Sequence, residues 1–274
     1  MNQITIDETK CKHDGACVAE CPVGIIMMAD KKSLPKIIPG GEEFCISCGH
    51  CVAVCPHGAL AHTIARPEDL AEVKKEWLLS PEHAEHFLRS RRSIRAYKDK
   101  AVDRETLERL IGVARHAPSG HNVQPVQWMV VSGAEKIREL SGAVIDWMRY
   151  MIKEKPEIAT PLHMDGVVLY WEMGRDMICR NAPHILVTHA PRALPQAATD
   201  GTIALAYLEL SALSLGLGAC WAGYFHVASL YWPGMKTALG LPDGHVSLGA
   251  MMVGYPKYGF HRLPERNAPQ IIWR

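Results

Sequence analysis

The sequence predicts an α+β protein in two unequal parts, and three observations carry that reading. Up to about residue 65 the chain holds seven of its nine cysteines and has few apolar runs, so this part can build only a small core. Beyond it, segments with apolar residues at helical spacing alternate with short apolar segments bounded by turn residues, the pattern of mixed helix and sheet. The length, 274 residues, suits two domains at the usual scale of roughly 100–200 residues each. Hydrophobic residues are 48% and charged residues 22% of the chain, enough for both parts to be globular. The net charge of +1 gives no electrostatic case for nucleic acid.

The chemistry concentrates in Cys45-Ile-Ser-Cys48-Gly-His-Cys51-Val-Ala-Val-Cys55-Pro56. Four thiols at this spacing, closed by a proline, wrap three ligands around one iron–sulfur cube and send the fourth to a second cluster. A second half-motif is therefore required, and Cys11-Lys-His-Asp14-Gly-Ala-Cys17-Val-Ala-Glu-Cys21-Pro22 supplies it. Residues 11–24 and 45–58 are identical at eight of fourteen positions, an internal duplication at an offset of 34. Cys21, Cys45, Cys48 and Cys51 are expected to hold one 4Fe-4S cluster. Cys11, Cys17 and Cys55 are expected to hold the other, with Asp14 at the fourth position. The first 65 residues thus resemble the two-cluster bacterial ferredoxins. A carboxylate is a harder, weaker ligand for iron–sulfide than a thiolate. The Asp14 cluster is then 4Fe-4S with an oxygen ligand or 3Fe-4S, and Asp14 can equally be the turn residue before Gly15. Disulfides or a zinc site are the other readings of these cysteines; two interleaved runs, each ending Cys-Pro, argue against both.

In chain order, residues 3–10 read as a short strand around Ile4 and Ile6, with 59–64 as its partner. A charged helix is expected from Arg66-Pro67 to about Leu79, and residues 66–82 are taken as a helical linker. Ser80-Pro81-Glu82 then reads as a cap, a first-turn proline and a first-turn acid. His83 and His86 sit three apart on that next helix, without a further ligand beside them, and read as an exposed face. Residues 102–116 form a helix capped by Asp103, with Leu107, Leu110, Ile111 and Ala114 as its apolar stripe. Residues 128–132 read as a buried strand, and 134–151 as a helix. The Met- and Trp-rich stretch 144–178 is either irregular core or an adaptable lid over a flat apolar ligand. A strand over 185–189 follows, then a long helix over 199–216, apolar almost all round and so central or interfacial. A strand over 247–253 precedes a polar tail rich in Pro and Arg. Cys179 and Cys220 read as buried core thiols.

A second constellation begins at Arg91-Arg92-Ser93-Ile-Arg95, four residues of which can serve an anion. With Pro118-Ser119-Gly120-His-Asn122, Ala182-Pro183, Trp221-Ala222-Gly223 and Gly254-Tyr-Pro256, it resembles the nitroreductase family of FMN enzymes over about residues 86–266. The resemblance implies a nitroreductase-like α+β domain over 83–274 that dimerises. It also implies that Arg91, Arg92, Ser93 and Arg95 hold the flavin phosphate and ribityl end, with Arg262 and Arg266 adding to the phosphate site. Arginine's planar fork suits phosphate, which agrees with this. By the same resemblance Pro118, Ser119, Gly120 and Asn122 reach the flavin across the dimer interface, while Trp221, Ala222 and Gly223 lie beside its ring. Neither a dinucleotide fingerprint nor a Gly-x-Ser-x-Gly elbow is present.

The expected function is an FMN-dependent oxidoreductase that reduces nitroaromatics, quinones or activated alkenes at flavin N5, with electrons delivered through the clusters. No catalytic side chain is required, because the cofactor carries the chemistry. The alternatives are an electron-transfer relay between a redox protein and nicotinamide, or a redox-sensing flavin protein. NAD(P)H or a redox protein is the expected donor. No nucleic acid, membrane or signal peptide is indicated, and the reduced thiols place the chain in a cytoplasm.

Overall fold

The structure, a computed structural model, describes residues 3–274. The chain divides into two compact units. One runs to Leu78 and takes in His121–Val123; the other comprises Leu79–Gly120 and Gln124–Arg274.

In the first unit the elements are β1 (Ile4–Ile6), α1 (Ala16–Ala19), β2 (Ile26–Met27), β3 (Lys36–Ile37), α2 (His50–Ala53) and β4 (Leu60–His62). β1 pairs antiparallel with β4, Ile4 facing His62 and Ile6 facing Leu60, as the alternation around Ile4 and Ile6 predicts. β2 pairs antiparallel with β3. The duplication is structural as well as sequential, since α2 lies 34 residues after α1 at both ends. Each of these helices is preceded by a left-handed glycine, Gly15 at φ 72° and Gly49 at φ 73°. His13 and Ser47, also equivalent, take positive φ as well. The core is small: Ile4, Ile25, Ile26, Ile37, Val52 and Leu60 pack with the Cys17 and Cys51 side chains.

Residues 66–79 depart from the expected helix. They form two 3-10 turns, Pro67–Asp69 and Lys75–Trp77, with extended backbone between. Val73, Trp77 and Leu78 are exposed. A charged helix of this length with no packed face is marginal in water, so propensity alone does not form it.

The second unit contains α3 (Pro81–Ser90), α4 (Arg104–Ala114), β5 (Gln127–Ser132), α5 (Ala134–Glu154), α6 (Pro156–Ala159), α7 (Met164–Glu172) and β6 (His184–Pro191). It continues through α8 (Ala197–Ser214), β7 (Gly218–Trp221), α9 (Gly223–Tyr231), α10 (Pro233–Leu239) and β8 (His245–Gly254). Its four strands form one antiparallel sheet in the order β5-β6-β8-β7. The continuous apolar run of β6 is buried on both sides. Ile185 and Val187 enter a core built with α5, α7, α9 and α10, while Leu186 enters a second core built with α4 and α8. This is the period-two alternation of a strand sandwiched between two helical layers. β5 is the sheet edge, and only Val131 of it is buried, which corrects the reading of 128–132 as a buried strand.

The caps foreseen at Ser80 and Asp103 are made: Ser80 Oγ accepts from His83 N and Asp103 Oδ1 accepts from Thr106 N. His83 and His86 are exposed. In the Met- and Trp-rich stretch, Trp147, Met148 and Met164 are core, whereas Met173 is exposed. α8 buries Ala204, Leu205, Leu208 and Ala212, but Tyr207 on the same helix is exposed. The helix is therefore one-sided in a single chain rather than enclosed. The tail after Gly254 has no regular element and exposes Tyr258, Phe260 and Trp273. Among the described residues no helix is long and apolar enough to cross a membrane.

Three histidines of this unit are shifted toward the neutral form by their surroundings. His184 Nε2 accepts from Val102 N at 2.9 Å. Burial lowers the pKa of His184, His189 and His226. A depressed histidine binds fewer protons folded than unfolded, so stability is full above the unfolded value of about 6.5 and falls as pH drops from there toward the folded value. Urea unfolding followed by circular dichroism is expected to give a lower midpoint at pH 5.5 than at pH 7.5; equal midpoints would contradict buried neutral imidazoles.

Candidate cofactor sites

In the first unit the duplicated loops bring the thiols together as the pairing requires. Cys21, Cys45, Cys48 and Cys51 line one cavity with Ile4, Ile25, Ile26 and Ile37, and His62 is its one polar side chain besides the thiols. Cys11, Cys17, Cys55 and Asp14 line a second cavity, more polar, with Lys12, His13 and His57. All nine cysteines are free. Among the described residues no three His, Cys, Asp or Glu side chains converge on one point as a single ion needs. Thiols ranged around a cavity instead suit a cluster, whose ligands bind separate irons. Burial pushes the Cys51 thiol up to about 11 and raises Cys17 as well. Bare thiolates are thus disfavoured here, and iron must displace the protons to make them ligands.

Asp14 occupies the position that Cys48 holds in the other half. Its Oδ1 accepts from Ala16 N at 3.0 Å and its Oδ2 lies 3.7 Å from His57 Nε2. Both the turn role and a ligand role are compatible with that placement.

In the second unit the arginine segment is anchored to the sheet. Ser93 forms a parallel bridge to Ala219 of β7, and Ile94 N donates to Ala219 O at 2.9 Å. Further on, Tyr97 bridges Pro256 and Lys98 N donates to Tyr255 O. Three segments separated in sequence, 91–97, 218–223 and 254–256, are thereby brought side by side. Close approach requires a glycine at 218, where a Cβ would stand 2.4 Å from Ile94 Cγ1. Arg91 and Arg92 line a cavity with Gly218, Ala219, Tyr258 and Phe260. Trp221 is 38% exposed, Ala222 is buried, and no heavy atom lies within 4 Å of a Cβ placed on Gly223. Backbone is thus open to a ligand at Gly223, and cationic side chains flank the same sheet edge, which fits an anionic, flat cofactor.

Not all predicted residues meet there. Pro118 and Ser119 line a different cavity, with Arg115, Trp128 and Asp200. Gly120 N donates to Asp200 Oδ1 at 3.0 Å, and Ser119 Oγ accepts from Gln124 N. Asn122 belongs to the first unit, where its amide donates to the Ile46 and Ser47 carbonyls. Arg95 is exposed, its Nη1 donating to Ser93 O, and Arg262 and Arg266 are exposed in the tail. Arg91, which the resemblance also places at the phosphate end, donates its Nη1 to Glu209 Oε1 at 2.7 Å. Cys220 and Cys179 are buried core thiols as expected, each raised chiefly by burial, and so are not nucleophiles.

Sequence reasoning passed over Asp200 and Glu209. Both are buried, on α8, and each holds one predicted flavin motif: Asp200 the Gly120 turn, Glu209 the Arg91 segment. Two carboxylates on a helix otherwise apolar are the signal that marks them, because buried acids need partners.

Residues 88–255 match the model of the nitroreductase family, and residues 9–59 match a 4Fe-4S dicluster domain. The chain belongs to the nitroreductase family. It is an oxidoreductase of the FMN type that carries an N-terminal 4Fe-4S dicluster domain. A chloronitrobenzene nitroreductase of Comamonas testosteroni is 26% identical over 62% of this chain and 85% of its own. A nitroreductase with bound FMN from Desulfitobacterium hafniense shares the fold, with a TM-score of 0.56 at 22% identity over 71% of this chain and 100% of its own. Another with bound FMN, from Bacteroides fragilis, has a TM-score of 0.55 at 22% identity over 69% and 98%.

The Arg91–Glu209 pair is testable. Glu209 is 8% exposed as a side chain and Arg91 24%, so Arg91→Ala strands a nearly buried carboxylate and is expected to cost about 3 kcal/mol. Adding Glu209→Gln should recover part of it, measured by denaturant unfolding at saturating FMN. No recovery would mean that the pair is not what Arg91 contributes.

Proposed function

We propose that this chain is a reductase of electron-poor small molecules, nitroaromatics, quinones or activated alkenes, fed with electrons through its two clusters. Residues 1–65 are assigned to the clusters, 66–82 to the link and 83–274 to the flavin. The observation that carries the reading is the bridging of Ser93 to Ala219, which sets the arginine segment beside the Trp221–Gly223 backbone. Bound FMN supplies hydride transfer at its N5, and iron–sulfur clusters supply single electrons.

The chain's own residues bind and orient. Arg91, Arg92, Ser93 and Arg95 hold the phosphate and ribityl end, with Arg91 fixed in place by Glu209. Arg262 and Arg266 add charge from the tail. Trp221, Ala222 and Gly223 present backbone to the ring. Pro118, Ser119 and Gly120, held by Asp200 in a cavity apart from Arg92, serve the flavin of a second copy, together with Asn122. This reading makes the protein a homodimer, and the one-sided α8 with exposed Tyr207 supports it. Cys21, Cys45, Cys48 and Cys51 hold a 4Fe-4S cluster. Cys11, Cys17 and Cys55 hold a second, with Asp14 as its oxygen ligand or as a 3Fe-4S cluster. NAD(P)H or a redox protein is the donor, in a cytoplasm.

Removing Arg92 takes away a charge-assisted donor, worth about 1.5–3 kcal/mol. Arg92→Ala should therefore weaken FMN binding roughly ten- to a hundredfold, read by flavin fluorescence titration. The decisive experiment is an anaerobic titration with NADH and then NADPH, following flavin and cluster absorbance together, then adding a nitroarene. Reoxidation of both chromophores by the nitroarene supports the proposal. Reduction by neither nicotinamide, but by a reduced ferredoxin, would assign the donor to a protein. Reduced flavin that is stable to every acceptor class would turn the reading toward a relay or sensor.

A further inference from the structure

The duplication predicts two like cluster cavities, but a histidine in one of them has no counterpart in the other. His62 ends β4, and its backbone is pinned on both sides. It faces Ile4 across β1, and its N–H donates to Ala65 O at 2.8 Å. The ring is 5% exposed with the residue. Its two nitrogens have different partners. Nδ1 receives Ile64 N–H at 3.2 Å, and a backbone amide can only donate. Nδ1 is therefore the bare nitrogen, the ring proton sits on Nε2, and Nε2 lies 3.5 Å from Cys45 Sγ. Stepping back 34 residues, the position equivalent to His62 is Met28, and Met28 lines the other cavity with Cys11, Cys17 and Cys55. A thioether has no N–H to give.

We infer that His62 is a positioning residue for the Cys45 thiolate, donating Nε2–H to its sulfur and raising the reduction potential of that cluster above what the cavity alone would set. A donor on a ligand sulfur draws off negative charge and favours the more negative, reduced state. The cavity is otherwise apolar, so this donor has no competitor among side chains and acts at low dielectric. Met28 provides no counterpart, so this contribution is made at one cluster only.

This rests on the assignment of Cys21, Cys45, Cys48 and Cys51 to one cluster. The test is an EPR-monitored redox titration of the full-length protein with clusters and FMN in place, comparing wild type with His62→Met and Met28→His. His62→Met should make reduction of one cluster roughly tenfold less favourable, about 59 mV for a one-electron couple, and leave the other unchanged. Met28→His should raise the other cluster. A fully loaded His62→Met protein with both potentials at wild-type values overturns the inference and leaves the ligand assignment standing. If His62→Met does not retain its cluster, Met28→His decides, and an unmoved potential there overturns it. Wild-type protein that assembles only one cluster would instead sink the ligand assignment itself.

Discussion

Two buried carboxylates on α8 are the constraint around which the flavin-family unit is arranged. A helix that packs between the sheet and α4 can keep acids inside only if each finds a donor. Asp200 finds the Gly120 amide and Glu209 finds the Arg91 guanidinium. Each partner belongs to a loop that carries candidate flavin ligands. These two bonds fix two loops to one rigid element, about 2.5 helical turns apart. Arg91 contributes through this attachment, and the neighbouring Arg92 and Ser93 are placed by it.

The sheet supplies the second half of the arrangement. β7 is the edge neighbour of β8, and its outer side is covered by the Ser93–Ile94 segment. An edge left bare would offer unpaired amides; here it is closed by the chain segment richest in arginine. The same pairing that satisfies backbone therefore delivers positive charge to the end of β7, where Trp221–Gly223 turn into α9. Structure and site share one set of hydrogen bonds.

In the cluster-bearing unit stability and function are joined more directly. Its core consists of a few isoleucines, a valine and a leucine packed with the candidate ligand thiols. Burial raises Cys17 and Cys51, and a metal held by thiols that belong to the core would couple loading to folding. The duplication makes the two halves alike in backbone, down to the paired left-handed glycines, yet their cavities differ in polarity. Isoleucines and one imidazole surround one set of thiols; Lys12, His13, Asp14 and His57 surround the other. Two sites of one ancestry are in this way given different electrostatic surroundings.

Local patterns were legible in the sequence wherever a local rule governs them. Cysteine spacing and the 34-residue repeat pointed to two thiol sets, and the side chains of each set line one cavity. Periodicity determined α4, α5 and β6, whose apolar residues face two packed layers, and caps determined where α3 and α4 begin. What the sequence by itself did not decide was every contact made over long separations. The linker 66–79 looked helical by composition, but helicity there depended on a packing face that the tertiary structure does not provide. Residues 128–132 looked buried by their apolar content, but strand order alone made them an edge. That Arg91 pairs with Glu209 was decided only by the packing of α8 against its segment. Met28 and His62 stand at matching places in the repeat, but that one of them meets a cysteine sulfur depends on a strand end, a turn amide and a loop converging. Such convergence has no signature in any one stretch of sequence.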